Sequence, residues 1–335
     1  MIRLLSWEYW PFGIVQAPLI LYWLWLSLRT RSLFFFSASN PGILTGGMFG
    51  ESKFEILAKI PKACKPTSIL VEVPCDKEEV LRLMQSNHLS FPVIFKPDLG
   101  ERGWMVKRIK HESDLDNYLS TVKTNFIIQE YVDLPLEFSV FYVRFPERAE
   151  GTVTSLTEKE MLKIEGNGNS TIKELILDLD RAKLQWPKLK TLYEDRLDEV
   201  LDKGETLELI SIGNHCLGTK FINRNSSISE EMSKAFDMIS KEVDGFYFGR
   251  YDLRTKSIKD LEQGKVMIME LNGCGAEPSH IYHPGASIIK AVRDLFVHWR
   301  TIYQISKTNH KRGVAYLPFR DGVRIFKRFK AATAQ

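Results

Sequence analysis

Two short segments near the carboxyl end of the chain carry acidic residues inside strand-like apolar runs. Asp252 lies in FGRYDLR, and Glu270 lies in VMIMELN with Asn272 two residues later on the same face. The period-two alternation of both runs predicts strands. A carboxylate in an apolar strand is costly unless something compensates it. The three side chains are the oxygen ligands that Mg²⁺ prefers when phosphates complete its shell; solvated carboxylates at strand ends are the alternative.

A lysine beside a glycine-containing turn lies further toward the amino terminus. The apolar residues before Lys96 predict a strand, and a turn with Gly100 and Gly103 leads into a second predicted strand at residues 104–106. An ammonium group next to a loop whose backbone N–H groups can approach oxygen atoms is able to bind a phosphate. Many hairpins contain Lys and Gly, so this pattern is weak on its own.

The segment FIIQEYVDLPLEFSVFY predicts two strands joined by a short linker. Glu130 and Glu137 lie on either side of that linker. Backbone groups of a linker can hydrogen-bond the edge of an adenine, and a carboxylate can accept hydrogen bonds from ribose hydroxyls. The segment is therefore suited to bind a nucleotide.

In this order the motifs resemble the ATP-grasp superfamily, and most closely its D-alanine–D-alanine ligase-like branch. The order is Lys, glycine loop, hinge Glu, Arg-x-Asp and Glu-x-Asn, and it covers roughly residues 51–299. The resemblance implies an α+β fold of the ATP-grasp type, in which two α+β subdomains clamp ATP. It also implies ATP and Mg²⁺ as the bound species, with two metal ions and with Mn²⁺ as a substitute.

The resemblance assigns a role to each matched residue. Lys53 and Lys96 correspond to the phosphate lysines, and Gly100 to Gly103 to the mobile loop over the phosphates. The other assignments are Glu130 and Val132 for the adenine hinge (with Gln129 as the alternative to Glu130), Glu137 for the ribose, Arg250 for the transferred phosphoryl group and oxyanion, and Asp252, Glu270 and Asn272 for the metal. From the residues alone, Lys220 is a further candidate phosphate contact, and a solvated lysine at a strand end is the alternative.

The loop GCGAEPSHIYHPG follows Asn272 at the end of the predicted catalytic strand. Glu277 and His280 are polar residues of this loop, and we expect them to contact substrate. In the related ligases the equivalent loop helps to hold substrates, but its sequence differs here, so D-alanine specificity does not carry over. A separate turn, GNGNS, precedes a predicted helix at about 172–183, with Ser170 or Thr171 as its N-cap and Glu174 three residues after Thr171.

Composition excludes some classes of function. The chain has 335 residues and a formal charge of +4, and it contains no RRM, zinc-finger or helix-turn-helix pattern, so no nucleic-acid partner is expected. Its cysteines are scattered without metal-ligand spacing, which indicates reduced thiols. The length allows two or three packed units.

The amino-terminal segment departs from the related ligases, which open with a complete substrate domain. Residues 11–28, PFGIVQAPLILYWLWLSL, form an uncharged apolar run at the lower limit for crossing a bilayer. A secretory signal peptide and a buried core helix are alternatives. We favour a membrane-embedded or re-entrant hairpin, because Pro18 and Gln16 interrupt the run.

The carboxyl-terminal segment is basic and alternates with apolar residues in GVRIFKRFK, as in a helix on anionic lipid; a solvated basic tail is the alternative. The predicted organisation is a membrane-associating segment at 1–40, an ATP-grasp domain at 41–305 and a basic amphipathic tail at 306–335. The predicted location is the cytoplasmic side of the inner membrane, as a monotopic or peripheral protein, with a cytoplasmic protein as the alternative.

The predicted function is that of an ATP-dependent carboxylate–amine ligase that forms an acylphosphate at the membrane surface. Its partners would be small-molecule or lipid-linked carboxylate and amine substrates. The alternatives are a phosphotransferase that stops after the first step and a nucleotide-binding membrane module without turnover. A lipid-phase substrate is a hypothesis that rests on the missing substrate domain.

Overall fold

The computed structural model of the chain describes residues 7–10, 12–101 and 103–333. The elements of the first half are α1 (Phe12–Thr30), α2 (Lys53–Lys59), β1 (Ser68–Val71), α3 (Lys77–Ser86), β2 (Val93–Pro97), β3 (Lys107–Ile109), α4 (Ser113–Thr121), β4 (Phe126–Glu130), β5 (Leu136–Val143), β6 (Thr152–Glu160) and β7 (Leu162–Glu165). Those of the second half are α5 (Ile172–Asp178), α6 (Asp180–Lys183), α7 (Trp186–Leu192), β8 (Thr206–Ile210), β9 (Lys220–Asn223), α8 (Glu230–Glu242), β10 (Phe248–Thr255), α9 (Ile258–Glu262), β11 (Met267–Asn272), α10 (Ile288–Lys311) and α11 (Phe319–Thr333).

A four-stranded antiparallel sheet forms the smaller α+β unit. Its strand order is β1-β4-β2-β3. Phe95 and Phe126 of this sheet pack with Tyr118 of α4 in one apolar core, because alternate residues of β2 and β4 point to the helical side. The opposite face of β2 carries Lys96.

A five-stranded antiparallel sheet forms the larger unit, in the order β11-β10-β5-β6-β9. On one face Tyr142 and Tyr251 pack against α8 in the largest core cluster. Residues directly opposite in register share a face, and the other face bears the polar side chains of β5, β10 and β11. The predicted strands at 126–142 and around Asp252 and Glu270 are confirmed.

A third, two-stranded sheet, β7-β8, packs with α5, α6 and α7. The predicted cap is confirmed, since Thr171 and Glu174 form a reciprocal capping box. The prediction of one continuous helix at 172–183 is wrong, because the structure has two helices there. Leu179 has an extended conformation and separates α5 from α6.

The strand predicted at residues 104–106 is wrong. These residues belong to the turn, in which Met105 has a φ of 52°, a value that a strand does not allow. The strand β3 begins only at Lys107. The sequence pattern does not show where the glycine-containing turn ends and the strand begins.

The predicted re-entrant hairpin at the amino terminus is wrong. One continuous helix, α1, runs through both Gln16 and Pro18. Gln16 is buried, and its Nε2 donates a hydrogen bond to Glu277 Oε1. This polar residue therefore forms a tertiary contact and does not interrupt the helix. Leu19 and Leu26 of α1 are buried in the contact with α10 and the residues around it.

The exposed side of α1 is also apolar. Leu21, Leu24 and Leu28 lie at helical spacing and are exposed, Leu28 by 79%. In the described residues, none of the helices combines the length and the apolar character that crossing a membrane requires. The basic segment forms α11, which packs on the rest of the chain through Phe329 and through Gly322 against the Phe34 ring.

Candidate active site

The polar residues of the two sheets meet where β11 passes the small sheet. Asp252 and Glu270 are directly opposite in register, and the pairing shifts just after them so that Met269 is an extra residue on β11. Such a bulge re-aims local groups. The Met269 carbonyl here accepts hydrogen bonds from Lys96 Nζ at 2.9 Å and from Gln129 Nε2 at 3.3 Å. The bulge thus joins the two sheets at the candidate site.

Asp252 is the centre of a buried network. Its Oδ1 accepts a hydrogen bond from Ser139 Oγ at 2.5 Å and lies 2.9 Å from Lys159 Nζ. Its Oδ2 accepts from Arg250 and from Asn272 Nδ2, both at 3.1 Å. Burial alone would raise the pKa of Asp252, but the Arg250 guanidinium and the Lys159 ammonium hold that pKa well below its usual range. The carboxylate is therefore charged at any physiological pH.

The three predicted metal ligands share one face of the sheet. Asn272 lies opposite Arg250, two pairs along from Asp252 and Glu270 and therefore on the same face. Two carboxylates and an amide are hard oxygen donors that fit Mg²⁺. Within the ranges that the structure describes, no group of three or more His, Cys, Asp or Glu side chains forms a metal site. A Mg²⁺ ion here would thus take its remaining ligands from phosphate and water.

The two predicted phosphate lysines reach the same place from different elements. Lys53 opens α2, donates a hydrogen bond to the Gly100 carbonyl and lies 3.6 Å from Glu270. Lys96 is 6% exposed, and its Nζ donates to Gln129 Oε1 at 3.1 Å. Burial lowers the pKa of Lys96 to about 8, against a smaller opposing effect of Glu270. A phosphate beside it would favour the protonated form.

The glycine loop contacts one of these lysines, since the Gly100 carbonyl accepts the hydrogen bond from Lys53. Gly100 and Gly103 both have positive φ values, 144° and 73°, so a side chain would strain the loop at either position. A Cβ at Gly103 would lie 3.4 Å from Asn214 Nδ2, which shows how closely the loop approaches the segment before β9. Arg102, between the two glycines, lies outside the described residues.

The two residues predicted for the adenine hinge, Glu130 and Gln129, have different surroundings. The Glu130 side chain accepts a hydrogen bond from the Thr67 backbone at the edge of the small sheet. Gln129, the alternative to Glu130, is buried and bonded to Lys96. The Val132 carbonyl accepts from Arg254 at 3.1 Å.

Glu137 lies beside the hinge, inside a second ion-pair group. Its carboxylate lies 3.0 Å from Arg254 Nε and 3.4 Å from Lys159 Nζ. A Cβ at Gly213 would lie 2.0 Å from Glu137 Oε1, so only glycine allows this close approach. The carboxylate thus lies where β5 meets the loop before β9.

Lys220 lies on the other face of the large sheet. Its partner in register is Glu160, whereas Lys159 is paired with Phe221, and side chains of successive residues alternate between faces. Lys220 Nζ contacts Glu160 at 3.0 Å, and both side chains are more than two-fifths exposed. The solvated lysine considered as the alternative matches this arrangement.

The loop after β11 connects the site to α1. The backbone carbonyl of Glu277 accepts a hydrogen bond from Arg250 at 3.1 Å, and the carboxylate of Glu277 accepts from Gln16 and from Tyr282, the latter at 2.5 Å. Glu277 is thus in direct contact with the predicted catalytic arginine.

His280 is held on both sides by hydrogen bonds. Its Nδ1 is 2.8 Å from Ser155 Oγ, and its Nε2 is 3.2 Å from Asp294. Burial lowers the pKa of His280, although Asp294 opposes the shift. The ring lines a cavity of about 890 Å³ between the large sheet and α10. Lys53, Lys96 and Asp252 are not among the described residues that line this cavity.

Three site residues escaped the sequence analysis. Lys159 is 6% exposed in its side chain and bridges Glu137 and Asp252, but the run Glu158-Lys159-Glu160 is typical of an exposed strand. Arg254 could have been found, since it follows Asp252 by two residues and shares its face. Burial raises the pKa of Glu51, near Lys53, to about 7, and its Oε2 has no hydrogen-bond partner among the described residues.

Cations and carboxylates pair with one another at this junction of the sheets. The cations are Lys53, Lys96, Lys159, Arg250 and Arg254, and the carboxylates are Glu137, Asp252 and Glu270, with Glu51 and Glu277 beside them. The cations can contact phosphate oxygens, and the carboxylates can hold a Mg²⁺ ion that accompanies the phosphates. The arrangement is suited to a polyphosphate.

Comparisons with known proteins find similarity only in structure. No family model matches the chain, and no curated protein matches it in sequence. The similar solved structures include D-alanine–D-alanine ligases and other ATP-grasp enzymes, the superfamily that the motif order resembles.

Three of these structures share 9–14% identity with the chain. The VanG D-Ala:D-Ser ligase from Enterococcus faecalis has 14% identity and a TM-score of 0.44, over 77% of this chain and 64% of that one. The D-alanine–D-alanine ligase from Bacillus anthracis has 14% identity and a TM-score of 0.44, over 81% and 72%. That from Coxiella burnetii has 9% identity and a TM-score of 0.43, over 84% and 62%. The chain thus spans less than two thirds of the E. faecalis ligase.

Proposed function

We propose that this protein is an ATP-dependent carboxylate–amine ligase of the ATP-grasp type. The observation that carries the proposal is the buried network around Asp252, in which a carboxylate that stays charged lies opposite Glu270 among lysines and arginines. A structural ion pair needs two partners, whereas this group joins residues of six elements: α2, β2, β5, β6, β10 and β11. Such a group is suited to bind a nucleoside triphosphate.

The proposed reaction has two steps. A carboxylate oxygen attacks the γ-phosphorus of ATP, the bond to the β-phosphate oxygen breaks, and ADP leaves. The amine nitrogen then attacks the carbonyl carbon of the acylphosphate, the bond to the phosphate oxygen breaks, and the amine loses a proton.

The residues of the chain act mainly through charge and position. Lys53 and Lys96 would bind phosphate oxygens, and Arg250, fixed by Asp252 and the Glu277 carbonyl, would face the charge that develops at the reacting centre. Mg²⁺ held by Asp252, Glu270 and Asn272 would neutralise phosphate charge. Glu137 would contact the ribose, Gln129 and Val132 the adenine side, and Glu277 and His280 the other substrates.

We further propose that the protein works on the cytoplasmic surface of a membrane and that a lipid or lipid-linked substrate reaches it there. The exposed apolar stripe of α1 supports this, because a helix of this kind can lie in the interface without crossing it. The basic residues of α11 support attraction to anionic lipid.

An ADP-release assay tests the catalytic proposal. The protein, supplied with Mg²⁺-ATP and anionic vesicles, is screened against carboxylates with and without hydroxylamine, a small amine that converts acylphosphates into hydroxamates. We expect ADP and hydroxamate to form together, and only when a carboxylate is present. ADP release with an alcohol acceptor and no hydroxamate would favour the phosphotransferase. ATP binding without turnover under every condition would favour the non-catalytic module.

A further inference from the structure

The cavity of about 890 Å³ that His280 lines follows one face of α10. The helix contributes residues at spacings of three and four, which share a face: Lys290, Asp294, Val297, His298 and Thr301. From Lys290 to Thr301 the helix rises by about 16 Å. The opposite wall is formed by β5, β6 and the hairpin between them. The volume is within the range of small-molecule sites.

The floor of this cavity is aromatic and uncharged. His298 is buried, and its ring centroid lies 4.8 Å from that of Phe248 and 5.4 Å from that of Phe141. Burial lowers the pKa of His298 to about 3, so its ring is neutral. On the other side of α10, Leu295 and Ile302 are buried against α1 and the residues after it. The helix is therefore held from behind, and the floor is already formed for an apolar group.

One end of the cavity holds charges of both signs. Asp294 is fixed there, since its Oδ2 lies 3.2 Å from His280 Nε2 and the other ring nitrogen of His280 lies 2.8 Å from Ser155 Oγ. Lys290 lies one helical turn before Asp294. Among the described residues Asp294 forms an ion pair only with His280, and Lys290 forms none. A carboxylate and an ammonium group thus line the same end without neutralising each other.

Asn225 adds a directed amide group to this end. It follows β9, whose Asn223 N–H donates to His283 Nδ1 at 3.3 Å and so holds β9 beside the segment of His280. The Asn225 Oδ1 accepts from the Leu156 N–H at 2.8 Å. Its amide NH₂ group is therefore left to donate to a ligand.

These groups together select the charge of a ligand. An ammonium group would bind Asp294, and a carboxylate would bind Lys290 and the Asn225 amide near the amino-terminal end of α10, where the helix dipole favours negative charge. A ligand with only one of these groups would be attracted by one side chain and repelled by the other. A ligand that carries both, with an apolar body, satisfies the polar end and the aromatic floor at once.

We propose that this cavity binds an α-amino acid with a large apolar side chain. Its ammonium group contacts Asp294, its carboxylate contacts Lys290 and Asn225, and its side chain lies over Phe141 and Phe248. The site is separate from the phosphate lysines, which are not among the described residues that line it. The binding needs neither ATP nor the proposed ligase activity.

Fluorine NMR of para-fluorophenylalanine tests the site without ATP. We expect a saturable broadening of the probe signal when the protein is added. Unlabelled phenylalanine should displace the probe. Glycine lacks the side chain, phenethylamine lacks the carboxylate and hydrocinnamate lacks the ammonium group, so each should compete at least about tenfold more weakly. Displacement by glycine or by hydrocinnamate as efficient as that by phenylalanine would overturn the inference.

Two variants assign the charges. Asp294→Asn retains the shape of the side chain and should weaken probe binding about tenfold, while competition by hydrocinnamate should not become weaker. Lys290→Met should weaken probe binding about threefold, since Lys290 is exposed and its attraction is screened by water. It should not weaken competition by phenethylamine.

Lys311→Met is the matched control, because Lys311 is exposed at the end of α10 and does not line the cavity. Its affinity for the probe should equal that of the wild type. The exposed Lys290→Met protein should fold even if Asp294→Asn does not, and thermal melting checks both. Wild-type affinity in the folded variants would overturn the inference.

The hydroxamate assay separates this inference from the proposed function. A protein that forms hydroxamate but does not bind para-fluorophenylalanine would overturn the amino-acid site and leave the ligase standing. A protein that binds the probe with the expected preferences but never hydrolyses ATP would support the site and overturn the ligase.

Discussion

The polar face of the large sheet and the apolar helix α1 show how differently two regions of one chain can be inferred. On the sheet, Arg250, Asp252 and Arg254 recur at every second position of one strand, and the register with β11 brings Glu270 and Asn272 beside them. On α1, side chains that point to the core and to solvent are both apolar. A strand with charges at alternate positions fixes its own orientation, whereas a helix that is apolar all round leaves its partner undetermined.

The largest test of the sheet side of this comparison is Glu270→Gln. If the carboxylate acts on charge in the transition state, turnover should fall by on the order of 10³-fold while ATP affinity changes little. ADP release and equilibrium binding of a fluorescent ATP analogue measure the two quantities.

Glu160→Gln is the control for this change, because Glu160 lies on the same large sheet and pairs with Lys220 on its other face. The turnover and the ATP affinity of the Glu160→Gln protein should both match those of the wild type. A Glu270→Gln protein that turns over within a few-fold of the wild type would mean that Glu270 does not belong to the reacting site.

A smaller effect is expected at Lys96. Lys96→Met removes a charge-assisted hydrogen bond worth roughly 1.5–3 kcal/mol, so ATP should bind about tenfold to a hundredfold more weakly. The pKa of Lys96 in the free protein is about 8, and the protonated form binds phosphate. ATP affinity of the wild type should therefore be constant below pH 7 and decline as the pH rises through 8.

The decline in ATP affinity above pH 8 should be absent from the Lys96→Met protein. Titration calorimetry between pH 6 and about 9.5 would measure the affinity of both proteins, since Lys96 should remain charged in the lower part of this range. Lys163→Met, at an exposed position on β7, should retain both the affinity and the pH dependence of the wild type. If the Lys96→Met protein shows the same decline above pH 8, another group is responsible.

The smallest effect concerns the terminal side of the comparison. Leu28→Ser removes the most exposed leucine of the α1 stripe and should weaken binding to anionic vesicles by about tenfold, since a buried leucine contributes roughly 1.5–3 kcal/mol and the interface buries it only in part. Vesicle flotation at low and high salt measures this. High salt should release the contribution of α11, because charge attraction is screened over about 8–10 Å.

Leu192→Ser is matched to this variant, since Leu192 is 59% exposed on α7, far along the chain from both termini. It should float like the wild type. A wild-type protein that does not float with vesicles at either salt concentration would remove the membrane surface from the proposal.

These contrasts show what the sequence could predict. The strands that carry Asp252, Glu270 and Glu137 follow from alternation, and Lys96 follows from the end of an apolar strand. Lys159 could not be found, since its neighbours Glu158 and Glu160 point away and only the folded register shows that it faces Asp252. The same limit applies to Gln16, which the sequence indicates as an interruption of the apolar segment. Its partner Glu277 is 261 residues away, so only the folded chain shows the contact.

Asn40 illustrates a consequence of such distant contacts for folding in the cell. It is fully buried, its Nδ2 donates to the carbonyls of Gly46 and Phe248, and its Oδ1 accepts from the N–H groups of Tyr247 and Phe248. The segment after α1 is thereby fastened to Phe248, the first residue of β10, 208 positions later. Contacts of such separation form late, and during synthesis the amino-terminal residues leave the ribosome long before β10 exists. The apolar helix α1 must therefore wait uncovered while most of the chain is made, so chaperones or a nearby lipid surface have time to bind it before its own protein does.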